Sequence, residues 1–272
     1  MPTDQDFHEL CELIHSASGI KLDEGKQQLV KSRLHGRILE AGVANLTEYV
    51  RALKADTTGN ETSMLVDLIS TNVTSFFREQ HHFEHLVKVA WQEKLDHGRP
   101  EVMRIWSSAC SSGEEPYSIA LSLAQELGEE HLGRFLILAT DISTRMVAHA
   151  DRGVYEDRTT ATVPTLLRRE WFQPEGPGEV RVDRRLRARV RARHLNLMGP
   201  WPMKRPFDVI FCRNDLTYFD TPTRQRLIDR FYRQLQPGGY LYIGHSESLS
   251  QLQHGFEYTG PTIYRKPRSE LS

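Results

Sequence analysis

Polar and small residues follow four short apolar runs in the second part of the 272-residue sequence. These segments are Ser107–Gly113, Asp141, Arg213-Asn214 and Gly244-His245. In an open, mostly parallel sheet, ligands bind beyond the carboxyl ends of the strands, where residues from successive strand ends are neighbours. The sequence therefore predicts that these four segments line one ligand site.

The residue types at this predicted site favour a cationic nucleoside over a phosphate-rich ligand. The first segment has neither G-x-G-x-x-G nor G-x-x-x-x-G-K-[ST], the two glycine patterns that cradle phosphates. Glu114 and Glu115 open the helix that follows, where a phosphate would meet like charge, and Asp141 stands where a ribose can be bound. S-adenosylmethionine, with its sulfonium and ammonium groups, suits this lining. The alternative to a ligand site is that these residues only stabilise helix starts, because the glutamates favour a helix N-terminus and Asp141 can cap the next helix.

The elements that must position these residues change in type along the chain. The first third contains only helical patterns, which end near Gly19 and Gly42, and a longer helix is predicted from about Gln80 to Leu95. Beyond it, apolar runs alternate with helical stretches, which is typical of βαβ units and a mostly parallel sheet. We therefore predict an α/β protein with an N-terminal all-α domain (1–97) and an α/β domain (98–272), divided near His97-Gly98.

The composition is that of a soluble globular protein. Hydrophobic residues make up 39% and charged residues 26%, and the net charge of −1 provides no overall field toward nucleic acid or membrane. Cys11, Cys110 and Cys212 match neither a disulfide framework nor a zinc cluster, which predicts a reducing, cytoplasmic compartment. No apolar run approaches the ~20 residues of a membrane span, and the polar N-terminus is not that of a signal peptide.

A strictly alternating segment interrupts the α/β pattern. From Arg185 to Arg193 every second residue is arginine and those between are apolar, which predicts a strand with the arginines on one face. Gly176-Pro177-Gly178 suggests a hairpin before it, so we predict an inserted antiparallel β-subdomain at about residues 174–195. This arginine strand has three interpretations: an edge strand protected by charge, a protein-docking surface or a phosphate-binding surface.

Two helical faces carry side chains that admit a structural or a functional interpretation. Lys26, Arg33 and Arg37 fall on one face of the second helix, which is either a solvated face or a docking surface. His81 and His85 would share a face of the long helix, but no third ligand follows at a suitable spacing. We interpret them as a solvated or packing pair and predict no metal site.

Five longer segments become recognisable together: Ser70–Glu79 (STNVTSFFRE), Trp106–Tyr117, Ala139–Ser143 (ATDIS), Phe207–Asp220 (FDVIFCRNDLTYFD) and Gly238–Ser248 (GGYLYIGHSES). They closely resemble the chemoreceptor glutamate methyltransferases, the CheR-type family, and the resemblance covers nearly the whole chain. It implies a class I, Rossmann-like methyltransferase domain after the helical domain, with S-adenosylmethionine as methyl donor. It also implies methyl-ester formation on glutamates of bacterial chemoreceptors.

The resemblance further implies roles for single residues. Arg78 and Tyr218 match the family's proposed catalytic pair. The helix face with Lys26, Arg33 and Arg37 would dock on an acidic helix of the receptor's cytoplasmic domain, with the arginine strand as a second candidate contact. The residues that it assigns to the cofactor are Asn72, Thr74, Arg78, Ala109, Glu115, Asp141, Asn196, Leu197, Arg213 and Asn214.

The sequence departs from the family pattern at Asp215 and Thr217, where members usually carry apolar residues. We hypothesise that the carboxylate of Asp215 alters cofactor affinity. Because of this departure, a second interpretation remains: a catalytically silent cofactor-binding module that scaffolds signalling proteins.

Because of the arginine strand, a third interpretation remains: a methyltransferase that acts on nucleic acid, although the sequence pI of 6.9 argues against it. Members that grip a receptor C-terminal peptide have a longer loop than the one around Pro174–Gly178, which argues against such a grip here.

Overall fold

The apolar residues of the N-terminal part lie on one face of each helix, as their spacing predicts. The computed structural model describes residues 4–22, 24–70, 72–96 and 102–268. Leu10, Leu34 and Tyr49 are almost fully buried in a core that these helices share. The predicted helix ends at Gly19 and Gly42 are confirmed, and both glycines adopt the positive φ that ends a helix. The helices are α1 (Asp4–Ser18), α2 (Glu24–Glu40), α3 (Leu46–Ala55) and α4 (Asn60–Ile69).

The long helix predicted from about Gln80 to Leu95 packs with the α/β part of the chain. Phe83 and Leu86 belong to the same hydrophobic core as Ile105 of the first strand. The change from one core to the other therefore precedes this helix, while the boundary predicted near His97-Gly98 lies outside the described residues. The helix consists of α5 (His81–His85), a π-helical segment (Leu86–Trp91) and α6 (Gln92–Asp96).

Strands and helices alternate through the rest of the chain, as the sequence predicts for βαβ units. None of the helices in the described part of the chain combines the length and apolar character needed to span a membrane. The strands are β1 (Met103–Ser107), β2 (Phe135–Asp141), β3 (Val154–Glu156), β4 (Phe172–Gly176), β5 (Glu179–Val182), β6 (Val190–His194), β7 (Phe207–Cys212), β8 (Leu235–Ile243), β9 (Glu257–Gly260) and β10 (Ile263–Arg265). The helices are α7 (Glu114–Leu127), α8 (Thr144–Arg152), α9 (Thr165–Trp171), α10 (Arg184–Arg187) and α11 (Thr221–Gln234).

A seven-stranded sheet in the order β6-β2-β1-β7-β8-β10-β9 forms the centre of the α/β part. Its neighbours from β6 to β8 pair in parallel, whereas β10 pairs antiparallel with β8 and β9. Ser107 lies opposite Ala139 of β2 and Phe211 of β7, so these three strands end at one edge of the sheet. The segments that follow them are neighbours in space, as the predicted ligand site requires.

A second, three-stranded antiparallel sheet has the order β3-β5-β4. The hairpin predicted at Gly176-Pro177-Gly178 joins β4 to β5, and Gly178 adopts a φ of 73° that an L side chain rarely tolerates. Because β3 also pairs with β5, the small sheet runs from Val154 to Val182. It therefore begins earlier and ends earlier than the predicted range of about 174–195.

The arginine strand predicted from Arg185 to Arg193 is wrong over its first half. Arg184–Arg187 is helical, because the Asp183 side chain caps it by accepting from Arg185 N at 2.8 Å, and Leu186 is fully buried. Only β6 is a strand, and it pairs in parallel with β2 at the edge of the large sheet. A helical turn followed by a short strand produced the same alternation as one long strand.

Candidate functional site

The turn after β1 is held by hydrogen bonds to both neighbouring strands. Ser108 N donates to the carbonyl of Phe211 at 2.9 Å, and Cys110 N donates to the carbonyl of Thr140 at 2.9 Å. Ala109, between them, lines the cavity described below. Its small side chain leaves the space over the strand ends open to a ligand.

Gly113 ends this turn in a conformation that requires glycine. Its φ is 104°, and a Cβ there would lie 2.7 Å from Tyr155 Oη and 2.9 Å from Ala150. The helix α7 begins at the next residue, so Glu114 and Glu115 lie in its first turn. The predicted strand, turn and helix start is confirmed, with the two glutamates buried in it.

Asp141 is the buried acidic residue at the end of β2. Its Oδ2 accepts from Ser111 N at 2.8 Å, and its Oδ1 accepts from Ser143 N at 2.9 Å. Burial raises the pKa of Asp141 above its usual range, although the two backbone donors oppose this shift. A carboxylate has about four acceptor sites, so Asp141 retains the capacity to accept hydrogen bonds from ribose hydroxyls.

Arg213 lies at the centre of a buried ion network at the end of β7. Its Nη1 lies 3.0 Å from Glu115 Oε2, and its Nη2 lies 3.2 Å from Glu79 Oε2. Ser107 Oγ donates to the other oxygen of Glu115 at 2.7 Å. Burial raises the pKa of Glu115, and the charge of Arg213 opposes this shift. Arg213 thus connects α7 to the segment around residue 79.

That segment presents Arg78 on an unusual turn. Phe77 and Glu79, on either side of Arg78, adopt φ values of 56° and 59°, which non-glycine residues rarely do. The carbonyl of Arg78 accepts a hydrogen bond from Arg213, and its guanidinium donates to the carbonyl of Val73 at 3.1 Å. The Arg213 network therefore fixes the backbone from which the Arg78 side chain extends.

The loop after β7 is supported by Glu247, which is not among the site residues that the sequence predicts. Glu247 Oε2 accepts from Asn214 N at 3.0 Å and from Gly244 N at 2.6 Å. Asn214 has a φ of 67°, and a Cβ on Gly244 would lie 2.4 Å from its side-chain nitrogen. Glu247 is buried, and burial raises its pKa. It therefore fixes the conformation of the segment that Asn214 begins.

Two cavities adjoin at these strand ends, with about 870 and 730 Å³ of empty space that includes solvent at their open mouths. Asn72, Ala109, Asp141, Asp215 and Tyr218 line both of them, so the two form one continuous site. The first extends beneath the N-terminal helices, and the second extends to the Arg78 turn. Every residue that the family resemblance assigned to cofactor binding or catalysis lines at least one of the two cavities, whereas Gly244 and His245, the fourth predicted segment, line neither.

Two of the predicted cofactor residues have structural contacts of their own. Asn196 Nδ2 donates to the carbonyl of Ala17 at 2.6 Å, and its Oδ1 accepts from Met198 N at 2.9 Å. The carbonyl of Leu197 accepts from Arg230. These contacts join the loop after β6 to the end of α1 and to α11, and they leave the apolar side chain of Leu197 on the cavity wall.

Asp215 brings a third carboxylate into the site, as its position in the sequence predicts. Burial raises its pKa well above the usual value, and the charges of Asp141, Glu247 and Glu115 raise it further. The Arg78 guanidinium acts in the opposite direction. The site therefore disfavours additional negative charge and suits a ligand with a cationic centre.

Part of the larger cavity wall was not predicted from the sequence. Ser18, Ile20, Leu22 and Val30, from α1, α2 and the chain between them, line it opposite the strand ends. These residues have the ordinary pattern of inward-facing helix and loop positions, and no local motif distinguishes them. Glu79 lies within one of the segments that resemble the family, but its ion pair with Arg213 could be found only from the tertiary structure.

Two of the basic residues predicted to dock on a receptor are engaged within the protein. Arg33 Nη1 donates to two carbonyls at the end of α4, at 3.0 and 3.2 Å. Arg37 pairs with Glu61 through two hydrogen bonds of 2.8 and 2.5 Å. The side chain of Lys26 lies outside the described residues. Both arginines thus hold α2 against α4.

The histidines of the long helix contact protein groups. His85 Nδ1 lies 2.8 Å from Tyr242 Oη, and His81 Nε2 lies 3.3 Å from the carbonyl of Pro261. Among residues 4–22, 24–70, 72–96 and 102–268, no three His, Cys, Asp or Glu side chains are arranged to hold a metal ion. The histidine pair has a packing environment in this fold.

Comparison with known proteins identifies the family. The all-alpha domain of the CheR methyltransferases matches residues 5–70, and their SAM binding domain matches residues 72–265. A chemotaxis protein methyltransferase of Klebsiella aerogenes is 40% identical over 96% of this chain and 89% of its own length. A probable chemotaxis protein methyltransferase of Rhizobium etli is 41% identical (93% and 96%), and the Escherichia coli chemotaxis protein methyltransferase is 37% identical (96% and 91%). The chain therefore belongs to the CheR methyltransferase family and is an S-adenosylmethionine-dependent methyltransferase.

Proposed function

We propose that the protein methylates glutamate side chains in the cytoplasmic domain of bacterial chemoreceptors and thereby forms glutamyl methyl esters. One observation carries this proposal: Arg78 and Tyr218 line the cavity that Asp141 also lines. A cation suited to an acceptor carboxylate thus lies beside the residue suited to the cofactor ribose. The relatives named above are chemotaxis methyltransferases, and the family resemblance implies glutamate as the acceptor.

The chemistry of the site fits S-adenosylmethionine. Asp141 has acceptor capacity for ribose hydroxyls, and Ala109 leaves room above the backbone. The carboxyl groups of Asp141, Glu115 and Asp215 line the cavities, and a cationic ligand favours their charged forms, which suits the sulfonium and ammonium groups. When bound, the cofactor supplies a methyl group activated by its positively charged sulfur.

A glutamate acceptor requires no general base. An exposed glutamate side chain has a pKa of about 4.3, so it is already a nucleophile at neutral pH, whereas a lysine with a pKa of about 10.4 must first lose a proton. The protein therefore has to remove water from the acceptor carboxylate and align it with the methyl group. Alignment of this kind can contribute on the order of 7–11 kcal/mol to lowering a barrier.

Arg78 and Tyr218 are the residues that we propose for this alignment. A guanidinium binds a carboxylate with two parallel hydrogen bonds, which fixes both its position and its orientation. A tyrosine hydroxyl can donate a further hydrogen bond to the same group. The Arg213 network beneath Arg78 keeps the guanidinium at the cavity, so the acceptor meets a prearranged cation.

We propose that basic surface residues attract the acidic receptor helix. The sequence indicated Lys26, Arg33 and Arg37 together with the arginines from 185 to 193. Since Arg33 and Arg37 are engaged within the protein, the exposed Arg191 is better suited to this attraction, and Lys26 stays a candidate from its position in the sequence. Val73, 79% exposed beside the cavity, offers an apolar contact next to the site.

Transfer of a labelled methyl group tests this function. The full-length protein, labelled S-adenosylmethionine and a chemoreceptor cytoplasmic fragment should yield labelled fragment, and mild alkali should release the label because methyl esters hydrolyse there. Glutamate-to-glutamine changes at the methylated positions of the fragment serve as the control and should abolish labelling. Alkali-stable label on the fragment, or label transferred instead to RNA or DNA, would reject the proposal.

A further inference from the structure

Arg33 joins the N-terminal helices to the cofactor site. From α2, its Nη1 donates to the carbonyl of Leu68 at 3.0 Å and to the carbonyl of Ser70 at 3.2 Å. These carbonyls stand at the end of α4, where the last turn of a helix leaves acceptors without intrahelical partners. A cation at this end also interacts favourably with the helix dipole. Arg33 therefore fixes the point at which the chain leaves α4.

The chain that leaves α4 immediately enters the cofactor site. Ser70 and Asn72 line the larger cavity, and Asn72 also lines the smaller one. The carbonyl of Asn72 accepts from Ser111 Oγ at 3.0 Å, and Ser111 belongs to the turn after β1. This part of the cavity wall thus has one anchor in the N-terminal helices, at Arg33, and one in the α/β domain, at Ser111.

The helix that carries Arg33 contributes to the same cavity. Val30, about one turn earlier on α2, is buried and lines the wall shared with Ser70. A displacement of α2 relative to α4 would therefore move the side chain of Val30 relative to the Ser70 carbonyl. The cofactor wall depends on the contact between the two helices at this end.

We propose that Arg33 is a positioning residue for cofactor binding: by holding the Leu68 and Ser70 carbonyls, it fixes the cavity wall formed by Ser70 and Asn72. This role deepens the proposed function: it rests on the binding of S-adenosylmethionine at this site and does not depend on which side chain accepts the methyl group. Arg33 acts through the backbone of α4 and touches no reacting group. Its guanidinium is engaged through Nη1 with the carbonyls at the end of α4.

Arg37 provides a matched control within the same helix pair. It also joins α2 to α4, through its two hydrogen bonds to Glu61. Glu61 lies in the first turn of α4, at the end of the helix remote from the cofactor wall. A loss of the Arg37 contact therefore loosens α2 on α4 without releasing the Ser70 carbonyl.

Calorimetric titration of the full-length variants with S-adenosylhomocysteine separates the two effects. Arg33→Ala should raise the dissociation constant about tenfold, since it removes hydrogen bonds from a charged donor. Arg33→Lys should restore part of the affinity, because an ammonium can donate to the same carbonyls. Arg37→Ala should lower the melting temperature at least as much as Arg33→Ala but leave the dissociation constant within about twofold.

Two outcomes overturn the proposal. Unchanged cofactor affinity in Arg33→Ala, with weaker binding of the receptor fragment, would assign Arg33 to docking. Equal losses of cofactor affinity in Arg33→Ala and Arg37→Ala would assign the effect to general loosening of the helices. Arg33→Gln, which keeps one donor, gives the same comparison if the alanine variant does not fold. The titration needs no receptor, so its result tests the role of Arg33 even if the wild-type protein fails to methylate the receptor fragment.

Discussion

The carboxylate of Glu79 and the guanidinium of Arg213 form an ion pair with a distance of 3.2 Å, in which only 12% and 3% of the side chains are exposed. Glu79 follows Arg78 directly, and Arg213 also donates to the carbonyl of Arg78. The other oxygen of Glu79 accepts from His245 N at 3.0 Å. The turn that carries the proposed catalytic arginine is thus tied to the ends of both β7 and β8.

Loss of this pair should impair turnover more than cofactor binding. Glu79→Gln preserves the shape of the side chain but removes its charge, and a charge-assisted hydrogen bond contributes about 1.5–3 kcal/mol. Since small displacements of a catalytic group can cost up to about 100-fold in rate, we expect kcat to fall about tenfold or more. Steady-state kinetics with a receptor fragment and calorimetry with S-adenosylhomocysteine measure the two quantities.

The matched control for this variant is Glu84→Gln. Glu84 is exposed on the following helix, where it accepts from Gln80 at 3.1 Å and lies 3.5 Å from Lys88, both on the surface, so its replacement should leave kcat unchanged. A Glu79→Gln enzyme with wild-type kcat would show that the ion pair does not position Arg78.

Asp141→Asn should weaken cofactor binding about 10- to 100-fold, because the ribose loses hydrogen bonds to a charged acceptor. The amide also directs an N–H group at either Ser111 N or Ser143 N, both of which are donors. Calorimetry measures the dissociation constant, and Asp151→Asn, an exposed change on α8, is the control. Equal affinities of Asp141→Asn and the wild type would remove Asp141 from the site.

The strand ends show how far the sequence alone defined the site. Asp141 and Arg213 could be assigned because apolar runs mark buried strands, and parallel strands end at a common edge. Glu247 could not be assigned, since a polar residue near a strand end is more often a surface residue. Glu247 accepts hydrogen bonds from the backbone N–H groups of Asn214 and Gly244, and only the tertiary structure brings these groups to it.

Arg78→Ala and Tyr218→Phe should each lower kcat while leaving the dissociation constant of S-adenosylhomocysteine within about threefold. We propose both side chains for the acceptor carboxylate, so their loss should affect alignment in the reaction more than binding of the cofactor, to which the family resemblance also assigns Arg78. The control is Tyr258→Phe, since Tyr258 is 66% exposed at β9. Full activity in Arg78→Ala would contradict the assignment of this residue.

The stability contribution of Asp215 should depend on pH. Its folded-state pKa is raised, mainly by burial and then by nearby carboxylates, so the stability it contributes is fully present below the unfolded-state pKa of about 3.9 and is lost as pH rises through the folded-state value. Asp215→Asn removes this titration. We therefore expect the variant to gain stability over the wild type as pH rises from about 4 to 8, and urea unfolding across this range measures it.

The same residue allows a test of cofactor affinity. If its carboxylate influences the bound cofactor, Asp215→Val should change the dissociation constant of S-adenosylmethionine in calorimetry. Equal affinities would remove that hypothesis, and a stability difference that does not vary with pH would contradict the raised pKa of Asp215.

The arginine segment and the basic helix face show where sequence patterns were ambiguous. The alternation from Arg185 to Arg193 fits a strand, yet the cap at Asp183 and the buried Leu186 stabilise a helical turn. Arg33 and Arg37 have the spacing of a docking face, yet their partners lie more than 20 residues away in sequence, on or beside α4. Periodicity records which residues share a face but not what that face contacts.

Peptide mapping of the methylated receptor fragment tests the central claim most directly. After reaction with S-adenosylmethionine, mass spectrometry should locate added methyl groups on glutamate side chains, and alkaline treatment should return those peptides to their original masses. Arg78→Ala should yield far less of the same modification. Methyl groups on lysine, arginine or other side chains, stable to alkali, would contradict glutamyl ester formation.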